Sequence, residues 1–384
     1  MRIYILGRSL PDPSTGSIGV FEFEQAALLH RQGLDVVYLF SDNQSPVHLQ
    51  TIKKVQKNIS GLPVFGSFFP AGLKLFPLYN KIKTMGLQWA FRQAEHCYGK
   101  PDIVHIHYPL LTLTLPFWDQ LKNLGIPLVV TEHWSRVQEK KVPPKLLPLQ
   151  QTIYRQADFY VPVGQGIFQA LQEQYGPRQQ MKVVPNAVYS KFELIQLPKD
   201  GIRPFVFLYV GRLVDEKRVD LLVKAFAAAF HNDIRAKLQI IGPGPEMRNL
   251  KKLIAEQNLQ NAVRLLGGMP HTEVAERMKQ ADCIVTASAY ETFCLPVAEG
   301  WMCGKPAIFP KNLPLSIYMD PTLGRLFEPG DVQSLGDAMI DLFQKGPEMS
   351  PQRIAEFAQQ HFSEEAVGNC LRSIYDDFYN GENL

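Results

Sequence analysis

Short apolar runs alternate with longer amphipathic stretches along most of this chain, which predicts strand followed by helix many times over. Residues 2–6 (RIYIL) read as a strand, 7–19 as a loop, 20–32 as a helix closed by Gly33, and 34–40 (LDVVYLF) as the next strand. Residues 102–106 and 127–131 repeat the apolar run on either side of a helical pattern at 110–124, and 159–163 form another, ending at Gly164. A short run at 182–184 leads into Pro185-Asn186-Ala187. A second series begins with 205–210 (FVFLYV) and a helix at 219–230, and continues with strands at 237–241, 263–266 and 284–287. Residues 314–346 supply a turn and a helix. Residues 363–379 form a final helix with Val367, Cys370, Leu371, Ile374, Tyr375 and Phe378 on its apolar side. Strands this continuously apolar, each followed by a helix, imply parallel sheets covered on both faces. Ligands of such sheets bind beyond the carboxyl ends of the strands.

A length of 384 residues, against roughly 100–200 per domain, gives two domains with cores of their own. The pattern places them at 1–190 and 204–362, with 191–203, containing Pro198, Asp200 and Gly201, as the linker. Hydrophobic residues make up 46% of the chain, as in a globular protein, and the net charge of +3 gives no reason to expect nucleic acid as a partner. The five cysteines, Cys97, Cys283, Cys294, Cys303 and Cys370, form no CxxC pair and read as reduced, packed thiols of a cytoplasmic protein. The first apolar run is too short for a signal peptide, and no run approaches the roughly 18 residues that span a bilayer. Residues 46–100 interleave Lys53, Lys54, Lys57, Lys74, Lys81 and Lys83 with aromatic and aliphatic residues. Two readings stay open there: the solvated face of amphipathic helices, or a patch that meets an anionic membrane surface or a lipid acceptor.

The stretch that concentrates chemistry is 290–306 (YETFCLPVAEGWMCGKP). Pro296 suits the first turn of a helix, where its missing N–H would be unpaired anyway, so the helix is expected to start near Leu295. Glu291 then lies in the loop outside the sheet and Glu299 one turn into the helix. The backbone N–H groups of Thr292, Phe293, Cys294 and Leu295 are open at the helix start and favour an anion. Two carboxylates flanking such a nest suggest a sugar–phosphate ligand. Elsewhere, Arg212 and Lys217 follow the strand at 205–210 closely enough to converge on one anion. The strands at 102–106 and 127–131 deliver His107 and His133 to their ends, where a histidine either donates to a hydroxyl, handles a proton, or serves as a buried structural group. The turn Gly242-Pro243-Gly244-Pro245 is not a GxGxxG fingerprint, which argues against a nicotinamide site. No DxD triplet occurs, so a metal-clamped diphosphate is not indicated.

On these residues the chain resembles the retaining, nucleotide-sugar-dependent glycosyltransferases of GT-B fold in their large fourth family (glycosyl transferases group 1). The resemblance is carried by Glu291, seven intervening residues and Glu299, then Cys303-Gly304-Lys305-Pro306; by Gly211-Arg212-Leu213, three residues and Lys217; by Gly242-Pro243-Gly244-Pro245; and by Thr131-Glu132-His133 as the Thr-x-His motif. It implies an α/β fold of two Rossmann-like domains facing across a central cleft, with residues 363–384 packing back on the first. It implies a glycosyl transfer from a nucleotide diphosphate sugar to a hydroxyl of a glycan or lipid-linked acceptor, with no cofactor and no metal, in polysaccharide or glycolipid assembly at the inner face of the cell membrane. Arg212 and Lys217 would hold the diphosphate, Glu291 the donor sugar, Glu299 the ribose, and His133 the transferred sugar. Gly19, Gly242, Met269 and the N–H groups of Thr292 to Leu295 would line the donor, and His107 and Asn186 the acceptor side. Three positions depart from the family pattern: Glu132 where an apolar residue is usual, and Ala187 and Arg218 where glycine is usual. An epimerase of nucleotide sugars and a non-catalytic nucleotide-sugar-binding protein are the alternative readings.

Overall fold

A computed structural model describes residues 1–11, 19–44, 51–70, 76–195, 203–231, 233–348 and 350–379. The chain divides into two compact units, Met1–Pro185 with Val367–Leu384, and Asn186–Ala366.

The first unit is built on seven strands: β1 (Arg2–Gly7), β2 (Asp35–Asn43), β3 (Lys53–Ile59), β4 (Leu62–Phe69), β5 (Ile103–His107), β6 (Leu128–Glu132) and β7 (Phe159–Pro162). Their order across the sheet is β3-β4-β2-β1-β5-β6-β7, and every neighbouring pair is parallel except β3 with β4. Ile3, Tyr4, Ile5 and Leu6 of β1 are fully buried, as a strand covered by helices on both faces requires. The β3–β4 hairpin was not anticipated in a stretch read as helical. Its turn is Ser60-Gly61, both at positive φ (52° and 91°), and the Asn58 side chain clasps Gly61 through both its N–H and its carbonyl. Of the six lysines read in that stretch, Lys74 lies outside the described residues, Lys83 is buried, and three share a specific place. Lys53, Lys54 and Lys57 stand on the exposed edge strand β3, where charge discourages pairing with another chain.

Helices Val20–Arg31, Phe76–Tyr98, Leu115–Asn123, Leu147–Gln156 and Gln165–Tyr175 belong to this unit. The helical pattern at 110–124 is divided into Pro109–Thr112 and Leu115–Asn123, the second beginning with Pro116 in its first turn. Helix Glu364–Tyr379 brings Val367, Leu371, Ile374 and Tyr375 into buried positions, and the Tyr375 hydroxyl lies 2.6 Å from His105 Nδ1. Residues 182–184 form no strand; the chain there makes a single bridge, Met181 to Tyr160.

The second unit has six strands, all parallel: β8 (Phe205–Val210), β9 (Ala236–Ile241), β10 (Val263–Gly267), β11 (Cys283–Val285), β12 (Ala307–Pro310) and β13 (Gly324–Phe327), in the order β10-β9-β8-β11-β12-β13. Period-two alternation splits β8 between two cores. Phe207 and Tyr209 pack with helix Val219–Phe230, and Leu208 packs with the layer around Trp301 and Phe362. Strand β13 and helix Pro351–Phe362 were not read from the pattern. Of the cysteines, Cys283, Cys294 and Cys303 are buried, whereas Cys97 is exposed.

In both sheets the order reverses once, between β1 and β5 and between β8 and β11. Chains leaving two such adjacent strands diverge to opposite sides, and the carboxyl ends beside that point form a natural crevice for a ligand.

Candidate functional site

In the second unit the loop after β8 is shaped by close backbone contact. A Cβ on Gly242 would lie 1.8 Å from the Gly211 carbonyl oxygen, and one on Gly244 would lie 2.1 Å from that of Leu213. The Gly-Pro-Gly-Pro turn thus backs the 211–213 segment, tied by Leu213 N–H to the Pro243 carbonyl (2.8 Å). A one-turn 3-10 helix, Asp215–Lys217, follows, and Arg218 takes φ 48°, the left-handed conformation that the usual glycine adopts without cost. Lys217 is directed inward from this turn and Arg212 outward.

The loop after β11 meets Lys217. Glu291 Oε1 accepts from Lys217 Nζ at 2.5 Å and from Ser288 Oγ at 2.8 Å; Ser288 is itself fully buried and lies 3.0 Å from Thr286 Oγ1. Helix Leu295–Met302 then starts where Pro296 predicts, with Cys294 as N-cap at φ 77°. Its thiol is pushed well above the usual range by burial, so it is a packed neutral group. Phe293 turns into the core against Phe362, leaving the backbone of 292–295 to carry the polarity of the helix start.

Glu299 is buried and lies apart from the Lys217 pair. Its Oε1 sits 3.1 Å from Nε2 of His271, whose ring packs edge-on against Phe192. His271 was missed in the sequence: it opens helix His271–Gln280, two positions after Met269, and a polar residue at a helix start reads as ordinary. Arg212 does not share a partner with Lys217. Its side chain is 69% exposed, with Glu216 at 3.8 Å. The second unit also has a groove of about 860 Å³ between Leu194, Phe205, Arg277, Pro306 and Pro351, at the amino ends of its strands and so at the opposite edge from these residues.

In the first unit, Gly19 takes φ 76° at the start of helix Val20–Arg31, where a Cβ would lie 2.6 Å from the Ser9 carbonyl oxygen. Gly16, another glycine of the 7–19 stretch that could let backbone approach a ligand, lies outside the described residues. Arg8 leaves β1, pairs with the fully buried Glu22 (Nε to Oε1, 2.8 Å) and lies 3.6 Å over the Tyr108 ring. Tyr108 stacks on His133 at 4.5 Å between centroids, and Phe21 lies on the same imidazole at 6.5 Å. The structure brings His107 and His133 together, Nδ1 to Nε2 at 3.0 Å, both buried. Beside them His105 uses both nitrogens, on Tyr375 and on Thr131 Oγ1 (2.7 Å). Burial drags His105 down to about 3, and burial together with its two histidine neighbours holds His107 well below the usual range.

Glu132 is fully buried. Its Oε1 accepts from the N–H groups of His133 (3.0 Å) and Trp134 (2.9 Å), while Oε2 has no hydrogen-bond partner, and burial pushes the carboxyl up to about 7. Arg8 and Glu22 were absent from the sequence reading because an arginine and a helical glutamate fourteen positions apart carry no spacing signal. Ala187 is buried and, unlike Arg218, is not at positive φ; Asn186 is partly buried. Among the described residues no group of three or more His, Cys, Asp or Glu is arranged to hold a metal ion, and no helix is long and apolar enough to cross a membrane.

Residues 196–361 match the family described as Glycosyl transferases group 1, and residues 19–192 match Glycosyltransferase Family 4. The chain is 27% identical over 379 residues, 95% of each chain, to N-acetyl-alpha-D-glucosaminyl L-malate synthase of Bacillus anthracis. It is 25% identical over 224 residues, 55% of this chain and 50% of the other, to alpha-monoglucosyldiacylglycerol synthase of Streptococcus pneumoniae. Among solved structures it resembles sucrose-phosphate synthase of Thermosynechococcus elongatus, with TM-score 0.74 and 19% identity over all of both chains. It also resembles Anabaena HepE in complex with UDP and glucose, with TM-score 0.72 and 18% identity over 98% of this chain and 100% of the other. Two family matches that together run from residue 19 to 361, on two doubly covered parallel sheets, establish that the chain belongs to glycosyltransferase family 4 and has the GT-B fold.

Proposed function

We propose that the protein moves a sugar from a nucleotide diphosphate sugar to a hydroxyl of a glycan or lipid-linked acceptor, with retention at the anomeric carbon and without a metal or other cofactor. The observation that carries this reading is the Lys217–Glu291 pair at the exits of the adjacent strands β8 and β11, where the strand order reverses. Lys217 and Arg212 are assigned to the departing diphosphate, helped by the backbone of residues 292–295 at the helix start. Preorganised charge of this kind lowers a barrier without reorganisation at the moment of reaction. Glu291, held by Lys217 and Ser288, is assigned to the donor sugar, and buried Glu299 to the ribose diol, with His271 keeping the carboxylate in place. Gly242 and Met269 are assigned to the nucleotide side, Gly19 and His133 to the transferred sugar, and Asn186 to the acceptor side. In the reaction the bond from the anomeric carbon to the diphosphate oxygen breaks. The acceptor oxygen bonds to the same face, and its proton passes to the leaving phosphate.

The donor class is supported by HepE having been solved with UDP-glucose, and by relatives named as synthases of a glucosaminyl malate and of a glucosyl diacylglycerol. Contact with an anionic membrane is supported by Leu78 and Met85, both exposed on helix Phe76–Tyr98 with Lys81 between them. The epimerase and binding-only readings have no comparable support.

Thermal unfolding against a panel of nucleotide diphosphates and their sugars tests the proposal. Ligand at a hundred times its Kd is expected to add about 2.7 kcal/mol. Arg212→Ala and Glu299→Ala are expected to abolish the shift produced by the matching base. The absence of a shift with every nucleotide would remove the reading. Once an acceptor is found, an α-linked product from an α-linked donor, with turnover unchanged by EDTA, is the expected result for a retaining, metal-independent enzyme.

A further inference from the structure

Strand β6 ends at Glu132, whose carbonyl still accepts from the Val163 N–H at 3.2 Å, so the sheet holds the chain up to that residue. His133 and Trp134 lie beyond it. Their N–H groups turn to the Glu132 side chain, and Oε1 accepts both, at 3.0 and 2.9 Å. One carboxyl oxygen thereby ties down two successive peptide planes at the point from which the His133 side chain departs. Capping amides is within reach of a neutral serine, threonine or asparagine. Glu132 is a costlier choice. It is fully buried, its Oε2 has no hydrogen-bond partner, and Arg8, the cation that acts on it, is committed to Glu22. A buried polar atom left idle costs free energy, and breaches of that kind gather where function needs them.

We infer that Glu132 is a positioning residue: its Oε1 pins the peptide planes of His133 and Trp134 beyond the end of β6, and so holds the His133 imidazole in place for the transferred sugar. The inference rests on the glycosyltransferase reading for the role of His133, and on geometry alone for the pinned backbone. Either protonation state of the carboxyl serves, since the two amides occupy Oε1 and a proton, when bound, sits on Oε2. With the backbone pinned, the ring meets Tyr108 at 4.5 Å between centroids and His107 Nδ1 at 3.0 Å, so the side chain is located from both ends. A shift of the backbone would carry the ring off one of these contacts. Misplacement of a reacting group by about 1 Å can cost about a hundredfold in rate.

The test compares Glu132→Leu, which fills the site without an acceptor, with Glu132→Gln, which keeps the Oε1 carbonyl. Amide hydrogen exchange is expected to find residues 133 and 134 protected in the wild type and in Glu132→Gln, and unprotected in Glu132→Leu. Turnover is scored as nucleoside diphosphate released from the nucleotide sugar that gives the largest thermal shift, UDP-glucose being the first tried. Glu132→Leu is expected to lower kcat by about 10–100-fold, as when a partner that orients a functional histidine is removed. The KM for the nucleotide sugar and the nucleotide-dependent thermal shift are expected to stay as in the wild type, and Glu132→Gln to keep most of the turnover. In a His133→Ala background Glu132→Leu is expected to cost nothing further, because it acts through His133. Wild-type kcat in Glu132→Leu, an equal loss in Glu132→Gln, or losses that multiply in the double variant would overturn the inference. If Glu132→Leu fails to fold, free exchange at residues 133 and 134 in the wild type or in Glu132→Gln overturns it, and protection in both upholds it. Absence of every nucleotide shift together with the expected exchange pattern condemns the function and not the pinned backbone.

Discussion

Glu132 and the histidines beside it pull the pH dependence of stability in opposite directions. Glu132 has a folded pKa near 7 against an ordinary value near 4.5, because burial opposes its charged form. A group whose folded pKa is raised contributes stability that is present below its unfolded pKa and is lost as pH rises through the folded one. The window for Glu132 is therefore roughly pH 4.5 to 7, on the alkaline-going side. Glutamine keeps the oxygen that caps the His133 and Trp134 amides and cannot ionise. Urea unfolding at pH 5 and pH 8 is expected to show Glu132→Gln gaining about 2–3 kcal/mol on the wild type between the two. A gap that does not change with pH would show that Glu132 ionises alike in the folded and unfolded chains, and that burial does not raise its pKa. His105, held down to about 3, has the opposite sign: the unfolded chain takes up a proton below pH 6.5 that the folded one refuses, so stability falls as pH drops from 6.5 toward 3. At this scale the Thr-x-His motif made His133 legible. Glu132 was visible only as a departure, since the cost of its position depends on burial that no local pattern states.

Loop exits, more than strands, distinguish the elements of the second unit. Gly242 lies at φ 144° with its α-carbon against the Gly211 carbonyl, so its requirement is for space between two backbones. Gly242→Ala is expected to push the 211–213 segment outward, destabilising the protein by more than about 2 kcal/mol in urea unfolding. It should also weaken the nucleotide-dependent thermal shift, although alanine touches no ligand. A variant of wild-type stability and wild-type shift would show that the contact is not tight. The motif with Arg212 and Lys217 was readable because the three residues between Leu213 and Lys217 leave room for one 3-10 turn, Asp215–Lys217. That these two cations go to different partners was not, because Glu291 lies 74 positions from Lys217. The β3–β4 hairpin is the reverse case. Ser60-Gly61 is a local turn signal, and it was masked by the lysines around it.

On the scale of the whole molecule, helix Glu364–Tyr379 is the last of the described elements yet carries a side chain that closes the fully buried hydrogen bonds of His105 in the first unit. Tyr375→Phe leaves His105 Nδ1 without its partner, at an expected cost of about 1–3 kcal/mol. Amide exchange should then quicken in β5 and in the terminal helix while β8 to β13 keep their protection, because those strands belong to the other unit. Uniform loss of protection would contradict this division.

The sequence by itself determined the α/β class, the two series of apolar strands, and the loops that carry charge, because strand burial, helix period and motif spacing are all local in the chain. It also determined where helix Leu295–Met302 begins, through the backbone restriction of a single proline. Tertiary structure alone decided the order of strands, and with it which exits lie side by side. Only then do Lys217 and Glu291 become partners, Glu299 acquire His271, and two histidines 26 residues apart come to share one proton. Hydrogen bonds and ion pairs act over a few ångströms, and which residues come that close is set by the packing of the sheets, not by their separation along the chain.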